Sequence, residues 1–228
     1  MNVLLTRPLN QVKSLEALVN ESGHQAILFP TLKIEALKSA PLKERYDVVI
    51  FISANAVEYG LEALSSLNHN HDQIFAVGAA TAKKLDHHGF KVDAFPQDKA
   101  SSESLLAMGE VKKLSNKDIL IFRGKGGRET LKEGLGSNNV VEYIEVYRRV
   151  RCNVKTLHAE SLTQFLSSKE GVITITSVEN LSTMMSIIEQ INADAMAHIK
   201  QYPLVVLSDR IKTYRSEERR VGKECRSR

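Results

Sequence analysis

Short apolar runs alternate along the chain with segments whose apolar residues recur at helical spacing. Residues 48–52 form one such run, nearly all apolar, as expected of a strand buried on both faces of its sheet. Nine strand candidates alternate with helices in this way: residues 3–6, 26–29, 48–52, 74–77, 91–95, 172–176 and 204–207, with two more inside residues 119–149. This alternation predicts an α/β fold with parallel sheets.

Internal similarity favours two domains. Nine strands over 228 residues fit two smaller sheets better than one large sheet. Residues 51–64 (FISANAVEYGLEAL) resemble residues 175–188 (ITSVENLSTMMSII), and residues 74–85 resemble residues 204–214. Each of these segments is a predicted strand followed by a predicted helix, a unit that also recurs by chance in many folds.

Composition excludes several classes of protein. The chain contains no run of eighteen apolar residues, which is the length of a membrane-spanning helix. The two cysteines, Cys152 and Cys225, are too few for a disulfide framework. The first residues lack the basic region and the long apolar region of a signal peptide. We therefore expect a soluble cytoplasmic protein.

The net charge of +4 comes mainly from the end of the chain. Residues 215–228 (RSEERRVGKECRSR) contain six Lys or Arg and three Glu, so the other residues are close to neutral. The aromatic residues are scattered and do not interleave with basic ones. The high pI is thus poor evidence for nucleic-acid binding, and we expect no nucleic-acid partner.

A glycine-rich turn, RGKGGRE at residues 123–129, stands between a predicted strand and a predicted helix. Unpaired N–H groups and the helix dipole favour an anion at such a place. Arg123, Lys125 and Arg128 add positive charge to it. The spacing matches neither the P-loop nor the GxGxxG dinucleotide motif. The turn predicts an anion-binding site, and the alternative is a solvated turn with surface arginines.

Four hydroxyl side chains stand just after predicted strands: Ser53, Thr81, Ser177 and Ser208. In open α/β sheets, ligands bind beyond the carboxyl ends of the strands. These residues are therefore candidates for a binding site. The alternative is that each only caps the helix that follows it.

Tyr147 follows an apolar strand and is flanked by Arg148 and Arg149. Its phenol is able to donate a hydrogen bond or to assist a proton transfer. The residues alone favour the alternative, an amphipathic tyrosine at the edge of a domain.

Two histidine pairs, His69 with His71 and His87 with His88, invite a metal interpretation. No cysteine or carboxylate joins either pair at the spacing of metal ligands. We therefore predict no metal site.

Several motifs follow one another along residues 1–211 in an order typical of one family: LLTRP, VVIFISANAV, FAVGAATAKKL, FPQDKASSESLL, ILIFRGKGGRETL, VEYIEVYRR, ITITSVENL and PLVVLSDRI. The most specific part of the set is RGKGGRE followed by the VYRR strand. On these motifs the chain resembles the uroporphyrinogen-III synthase family.

This resemblance implies two Rossmann-like or flavodoxin-like α/β domains with parallel sheets, joined by two extended linkers. One domain is expected to comprise residues 1–34 plus 150–214, and the other residues 38–147. The segments LKIEAL and EVYRRVR become the linkers, which accounts for the extended, weakly alternating character of residues 32–37.

The resemblance also implies a reaction. Hydroxymethylbilane, a linear polycarboxylate handed over by hydroxymethylbilane synthase, closes to uroporphyrinogen III with loss of water and inversion of ring D. Such an enzyme is a cyclising lyase that acts as a monomer, without a metal or an organic cofactor. Its main task is to orient rings A and D for a normally disfavoured attack. The alternative is a non-catalytic two-domain module that closes on an anionic small molecule.

Residue roles follow from the resemblance position by position. Tyr147 matches the family tyrosine proposed to help the hydroxyl group leave. Ser53, Thr81 and Ser177 match polar positions of the family's cleft. Ser208 lies where the family often has Gly or Ser, but the threonine expected just after it is absent. On grounds of charge, our candidates for carboxylate contacts are Arg7, Arg123, Lys125 and Arg128.

Residues 215–228 depart from the family pattern, which continues with a helix ending in Gly, another strand and a final helix. These residues lack apolar periodicity, so we expect a non-native tail in place of the native C-terminus. The first domain would then lack a strand and a helix, and the activity of this chain would be doubtful. The alternative is a natural divergent tail.

Overall fold

Two sheets organise the computed structural model, which describes residues 1–67, 71–207, 209 and 211–214. The strands of these residues are Asn2–Leu5 (β1), Gln25–Leu28 (β2), Leu32–Ala36 (β3), Tyr46–Phe51 (β4), His71–Ala76 (β5), Asp118–Gly124 (β6), Val140–Arg151 (β7), Gly171–Ile175 (β8) and Leu204–Val206 (β9). The helices are Leu9–Glu21 (α1), Ala54–Ser65 (α2), Ala79–His87 (α3), Ser102–Ala107 (α4), Gly109–Lys112 (α5), Thr130–Leu135 (α6), Thr156–Leu166 (α7), Val178–Ile191 (α8) and Ala195–Ile199 (α9).

The chain divides into two compact units, each with a sheet and a core of its own. Unit 1 combines Met1–Ile34 with the chain from Val150 onward, and unit 2 is Glu35–Arg149. The two boundaries between the units fall inside β3 and β7, which are neighbours in one sheet.

Unit 1 has four parallel strands in the order β2-β1-β8-β9. Alternate side chains of a strand point to opposite faces of its sheet. Leu4 of β1 lies on one face, in the core cluster that also contains Leu181 of α8. Val3 and Leu5 pack on the other face against Val12 of α1. Burial on both faces explains why β1 is apolar at nearly every position.

Unit 2 has five strands in the order β3-β7-β6-β4-β5, of which the last four pair in parallel. Ile50 and Ile121 contribute to a core that α4, α5 and α6 cover. Phe51 and Phe122 stack with their ring centroids 4.4 Å apart. A Cβ added to Gly60 of α2 would lie 2.6 Å from the Phe122 ring, so this glycine allows α2 to pack closely on the sheet.

The predicted α/β fold with parallel sheets is confirmed, but one predicted strand is wrong. Residues 91–95 form only a single bridge, between Phe75 and Ala94. The carboxylate of Asp93 accepts a hydrogen bond from the N–H of Ile74 at 2.8 Å. A side chain thus takes a donor that a continuous strand would have paired with a backbone carbonyl.

Part of the C-terminal prediction lies outside the described residues. This applies to Ser208 and to residues 215–228, including the expected non-native tail. Ile211 is buried in the core of unit 1.

In the part of the chain that the structure describes, no helix is both long enough and apolar enough to cross a bilayer.

Candidate active site

The carboxyl ends of β4, β6 and β7 lie at one edge of the unit 2 sheet, because these strands run parallel. Ser53 follows β4, Gly124 ends β6, and Tyr147 lies on β7 opposite Gly124. Ligands of open α/β sheets bind beyond this kind of edge. The edge therefore brings together two predicted site residues, Ser53 and Tyr147.

Tyr147 is nearly buried, with 4% of its surface exposed. Its hydroxyl lies 3.2 Å from Oγ of Ser53, and either group is able to donate this hydrogen bond. The same Oγ accepts a hydrogen bond from the N–H of Ala56 at 3.1 Å and so caps α2. The ring of Tyr59 lies 6.0 Å from the Tyr147 ring, centroid to centroid. The phenol of Tyr147 thus has an oriented partner.

The pairing between β6 and β7 is irregular beside this tyrosine. Arg123 keeps the regular register, whereas Gly124 pairs with Tyr147, so Val146 is an extra residue on β7. The N–H of Lys125 donates to the carbonyl of Tyr147 at 2.8 Å. This bulge fixes the Tyr147 backbone against the end of β6.

Arg123 is buried, with 2% of its surface exposed. Its Nη1 lies 2.9 Å from Oε1 of Glu129, and its Cζ lies 4.2 Å from the centroid of the Tyr143 ring. Its Nε donates to the carbonyl of Gly124 at 3.3 Å. A Cβ added to Gly127 would lie 2.7 Å from Nη2, so the turn closes over the guanidinium. The contacts of Arg123 therefore stabilise the turn itself.

A cavity of about 220 Å³ lies beside this guanidinium, with Arg123, Arg128, Tyr143 and Ser101 in its wall. Nη1 of Arg128 lies 2.6 Å from Oε1 of Glu103, in an ion pair whose side chains are both largely exposed. Burial raises the pKa of Tyr143, which keeps its phenol neutral. The cavity thus has cationic groups in its wall, and each arginine already has a carboxylate partner.

The glycine-rich turn itself is exposed from Lys125 to Glu129. Gly126 has φ of 75°, in the left-handed region that favours glycine. The helix that follows, α6, has only six residues and no side-chain cap. The turn therefore offers cationic side chains, above all Lys125, and not the N-terminus of a long helix.

Thr81 does not stand directly after a strand as predicted. Strand β5 ends at Ala76, Gly78 is the N-cap of α3, and Thr81 is the third residue of that helix. Its side chain is buried. The alternative interpretation of Thr81 as an N-cap is also wrong, because Gly78 occupies that position.

Unit 1 has a polar site of its own at the carboxyl end of β1. Oγ of Ser177 accepts a hydrogen bond from the N–H of Asn180 at 3.1 Å and so caps α8. Nδ2 of Asn180 donates to the carbonyl of Thr6 at 2.9 Å and to Oγ1 of Thr31 at 2.6 Å. Asn180, Thr6 and Thr31 are fully buried, and Arg7, the next residue along, is half-buried.

Sequence reasoning missed two residues of these sites, Gly124 and Asn180. Asn180 carried a faint signal, since it stands three residues after a predicted cap, Ser177. Gly124 carried none, because its contact with Tyr147 depends on the irregular pairing of two strands.

The structure describes one of the two histidine pairs in full. His87 and His88 are neighbours at the end of α3, with ring centroids 5.7 Å apart. No group of three His, Cys, Asp or Glu side chains able to hold a metal ion occurs in the described part of the chain. His69 lies outside that part.

Comparison with known proteins gives a consistent result. Residues 13–217 match the family model of uroporphyrinogen-III synthase HemD. The uroporphyrinogen-III synthase of Salmonella typhimurium (strain LT2) is 30% identical over 202 residues, which cover 83% of this chain and 81% of that protein. The one from Escherichia coli (strain K12) is 27% identical over 201 residues, with the same coverage.

Two solved structures share the fold. The chain matches uroporphyrinogen-III synthetase from Helicobacter pylori 26695 with a TM-score of 0.60 and 17% identity, over 95% of this chain and 88% of that one. It matches a mutant uroporphyrinogen III synthase from the extremely thermophilic bacterium Thermus thermophilus with a TM-score of 0.51 and 16% identity, over 98% and 99% of the two chains.

Proposed function

The chain belongs to the uroporphyrinogen-III synthase family, and from this premise we propose that it closes hydroxymethylbilane to uroporphyrinogen III, with loss of water and inversion of ring D. The reaction is a step of tetrapyrrole biosynthesis. Because it removes water, the protein is a lyase.

The observation that carries the proposal is the phenol of Tyr147, whose hydroxyl lies 3.2 Å from Oγ of Ser53 at the carboxyl edge of the unit 2 sheet. In the proposed mechanism this phenol donates its proton to the substrate hydroxyl while the C–O bond breaks, and water leaves. Ser53 orients the phenol. The proton that the pyrroles release on ring closure restores the phenol.

The other requirement is orientation. Loss of water turns the substrate into its own electrophile, so the protein needs chiefly to hold the two ends of the chain in the geometry of the disfavoured attack. Fixing the reacting groups in this way is a large source of rate enhancement. A nearly buried tyrosine whose hydroxyl is hydrogen-bonded to a helix-cap serine presents its proton in a fixed orientation, which lowers the cost of reorganisation.

Cationic and polar side chains are proposed to hold the carboxylates of the substrate. Lys125 and Arg128 are exposed on the glycine-rich turn, and Arg7 follows β1 in unit 1. Arg123 contributes through the cavity, where a substrate carboxylate exchanges with Glu129. The polar residues proposed to contact substrate are Ser53, Thr81, Ser177 and Ser208.

We place this activity in a monomer of two domains in the cytoplasm, supplied by hydroxymethylbilane synthase. A chain with two cysteines has no need of an oxidising compartment. The proposed chemistry uses neither a metal nor an organic cofactor, because the leaving step needs only a proton donor.

The direct test supplies hydroxymethylbilane to the purified chain and separates the uroporphyrinogen isomers after oxidation. We expect isomer III to exceed isomer I, which forms when the substrate closes without ring inversion. A product that contains only isomer I would contradict the proposal.

The same experiment addresses the alternative function, a module that binds an anionic small molecule without turning it over. Such a module would bind the substrate but leave its closure to isomer I unchanged. Membership of the family favours the synthase.

A further inference from the structure

We propose that Gly124 is a positioning residue for Tyr147: its missing side chain is the space in which the phenol lies. This inference rests on the proposed function of Tyr147, since it concerns the placement of the hydroxyl that donates the proton.

The space over Gly124 is filled by the phenol itself. A Cβ added to Gly124 would lie 2.5 Å from Cζ of Tyr147, 2.6 Å from Cε2 and 2.9 Å from the hydroxyl oxygen. Carbon atoms that are not bonded are in favourable contact at about 3.5–4.0 Å. Any side chain at position 124 therefore displaces the phenol, and at its reacting end.

The backbone gives no separate reason for a glycine at this position. Among the described residues, the glycines with φ in the left-handed region are Gly23, Gly89 and Gly126. Gly124 lies at the end of β6 in a conformation open to other residues. Contact with Tyr147 is thus what excludes a side chain here.

Tyr147 has few ways to relieve such a collision. Its side chain is nearly buried, and its carbonyl is held by the N–H of Lys125 at 2.8 Å. The bulge places its backbone directly opposite Gly124. A ring displaced from this position moves its hydroxyl relative to Oγ of Ser53, and so alters the 3.2 Å contact between them.

A kinetic double-mutant cycle tests the inference with Gly124→Ala, Tyr147→Phe and the combination. We expect each single variant to lower kcat by about tenfold or more, with a smaller change in KM, as the loss of a proton donor predicts. In the Tyr147→Phe background no hydroxyl is left to misplace. There Gly124→Ala should change kcat by less than about twofold, the scatter of independent sites.

Gly134→Ala is the matched control for the steric change. Gly134 lies in α6 of the same unit, and its added Cβ would lie 2.6 Å from Cδ1 of Leu106 in α4. Because this Cβ meets a leucine side chain, and neither Gly134 nor Leu106 lines the cavity beside Arg123, we expect kcat to stay at the wild-type value.

A second double-mutant cycle, in which Tm is measured instead of kcat, tests the inference if Gly124→Ala unfolds or inactivates the protein. Overpacking should lower the Tm of Gly124→Ala by roughly 5 °C while Tyr147 is present. With Tyr147→Ala in the background, the same substitution should leave Tm unchanged. Equal losses of Tm in both backgrounds would overturn the inference, and so would a tenfold loss of kcat in the Tyr147→Phe background.

The two proposals fail in different ways. Wild-type kcat in Tyr147→Phe would reject the proton-donor role. The Tm measurements would then show whether Gly124 and Tyr147 are in contact. A slow Tyr147→Phe beside a fully active Gly124→Ala would reject the positioning role alone.

Discussion

At Ser53 a single hydroxyl serves two partners, the N–H of Ala56 at 3.1 Å and the hydroxyl of Tyr147 at 3.2 Å. The first contact caps α2, and the second orients the proposed proton donor. The two roles tolerate different substitutions of Ser53. Glycine is nearly as good an N-cap as serine, whereas alanine is much worse.

Substitutions of Ser53 should therefore separate the two roles. Ser53→Ala should lower the free energy of unfolding by about 1 kcal/mol through loss of the cap, and Ser53→Gly by only a few tenths of that. Both remove the partner of Tyr147, so both should reduce kcat by a similar factor. Chemical denaturation and steady-state kinetics measure the two effects.

A kcat that follows stability, falling in Ser53→Ala but not in Ser53→Gly, would show that Ser53 acts only as a cap.

Residue roles that depend on local sequence were predictable, and those that depend on distant pairing were not. A serine before an amphipathic segment is a local signal, so the caps at Ser53 and Ser177 were expected. Thr81 was misplaced because the tight cap at Gly78 leaves no side-chain signal. The contact between Gly124 and Tyr147 needs the register of β6 and β7, which no short stretch of sequence specifies.

At the scale of elements, the buried amide of Asn180 joins the first turn of α8 to β1 and to the loop after β2. Its Nδ2 donates to Thr6 and Thr31, and its Oδ1 accepts from the hydroxyl of Thr6 at 2.6 Å. A buried polar group that loses its partner costs more than the hydrogen bond itself was worth. Removing a single hydrogen-bonding atom from this network should therefore destabilise the packing of α8 against β1.

Two isosteric substitutions in unit 1 test this network. Thr31→Val removes a hydroxyl that accepts from Asn180, and it should lower the free energy of unfolding by about 1–3 kcal/mol. Thr183→Val removes a buried hydroxyl that has no hydrogen-bond partner among the described residues. That variant should be neutral or slightly stabilising, because no bond is lost.

Urea denaturation of the two variants at neutral pH gives the comparison. An equal loss in both would mean that the effect reflects packing and not the hydrogen bonds of Asn180.

The elements themselves were largely predictable from apolar periodicity. The buried strands carry near-continuous apolar runs, so β1, β4, β6 and β8 were found close to their true positions. Residues 91–95 (KVDAF) were also predicted as a strand although two of the five are charged, and there the carboxylate of Asp93 accepts from the N–H of Ile74. Composition cannot distinguish a backbone acceptor from a side-chain acceptor, and for that reason the prediction was wrong.

At the scale of the whole molecule, alkaline pH provides a test of the folded state. Tyr46 at the start of β4 is buried and donates a hydrogen bond to the carboxylate of Glu142. Burial first, and this hydrogen bond second, raise the pKa of Tyr46 from its ordinary value of 10.0 to about 12. The folded state therefore favours the neutral phenol.

The sign of the pH effect follows from this direction. Stability due to Tyr46 is fully present below pH 10, where the phenol is neutral in both states, and it is lost as pH rises from 10 to 12. The loss amounts to about 2 kcal/mol. Tyr46→Phe cannot ionise, so its free energy of unfolding should fall less steeply across that interval.

Denaturation curves of both proteins at several pH values measure the difference. Below pH 9 the two curves should run parallel, offset by the lost hydrogen bond. An identical slope above pH 10 would assign the alkaline transition to other groups.

Unit 1 is assembled from the two ends of the chain, and this has a consequence for synthesis on the ribosome. Strand β1 pairs on one side with β2, which emerges early, and on the other with β8, from Asn2 with Gly171 to Leu5 with Thr174. At about 5–20 residues per second, translation needs roughly 7–30 s between the end of β2 and the end of β8. Unit 2, Glu35–Arg149, is synthesised completely within that interval, so it is able to fold before unit 1. Until β8 is synthesised, the edge of β1 that pairs with it stays unpaired. Unpaired strand edges and exposed apolar surface are the features of nascent chains that chaperones protect.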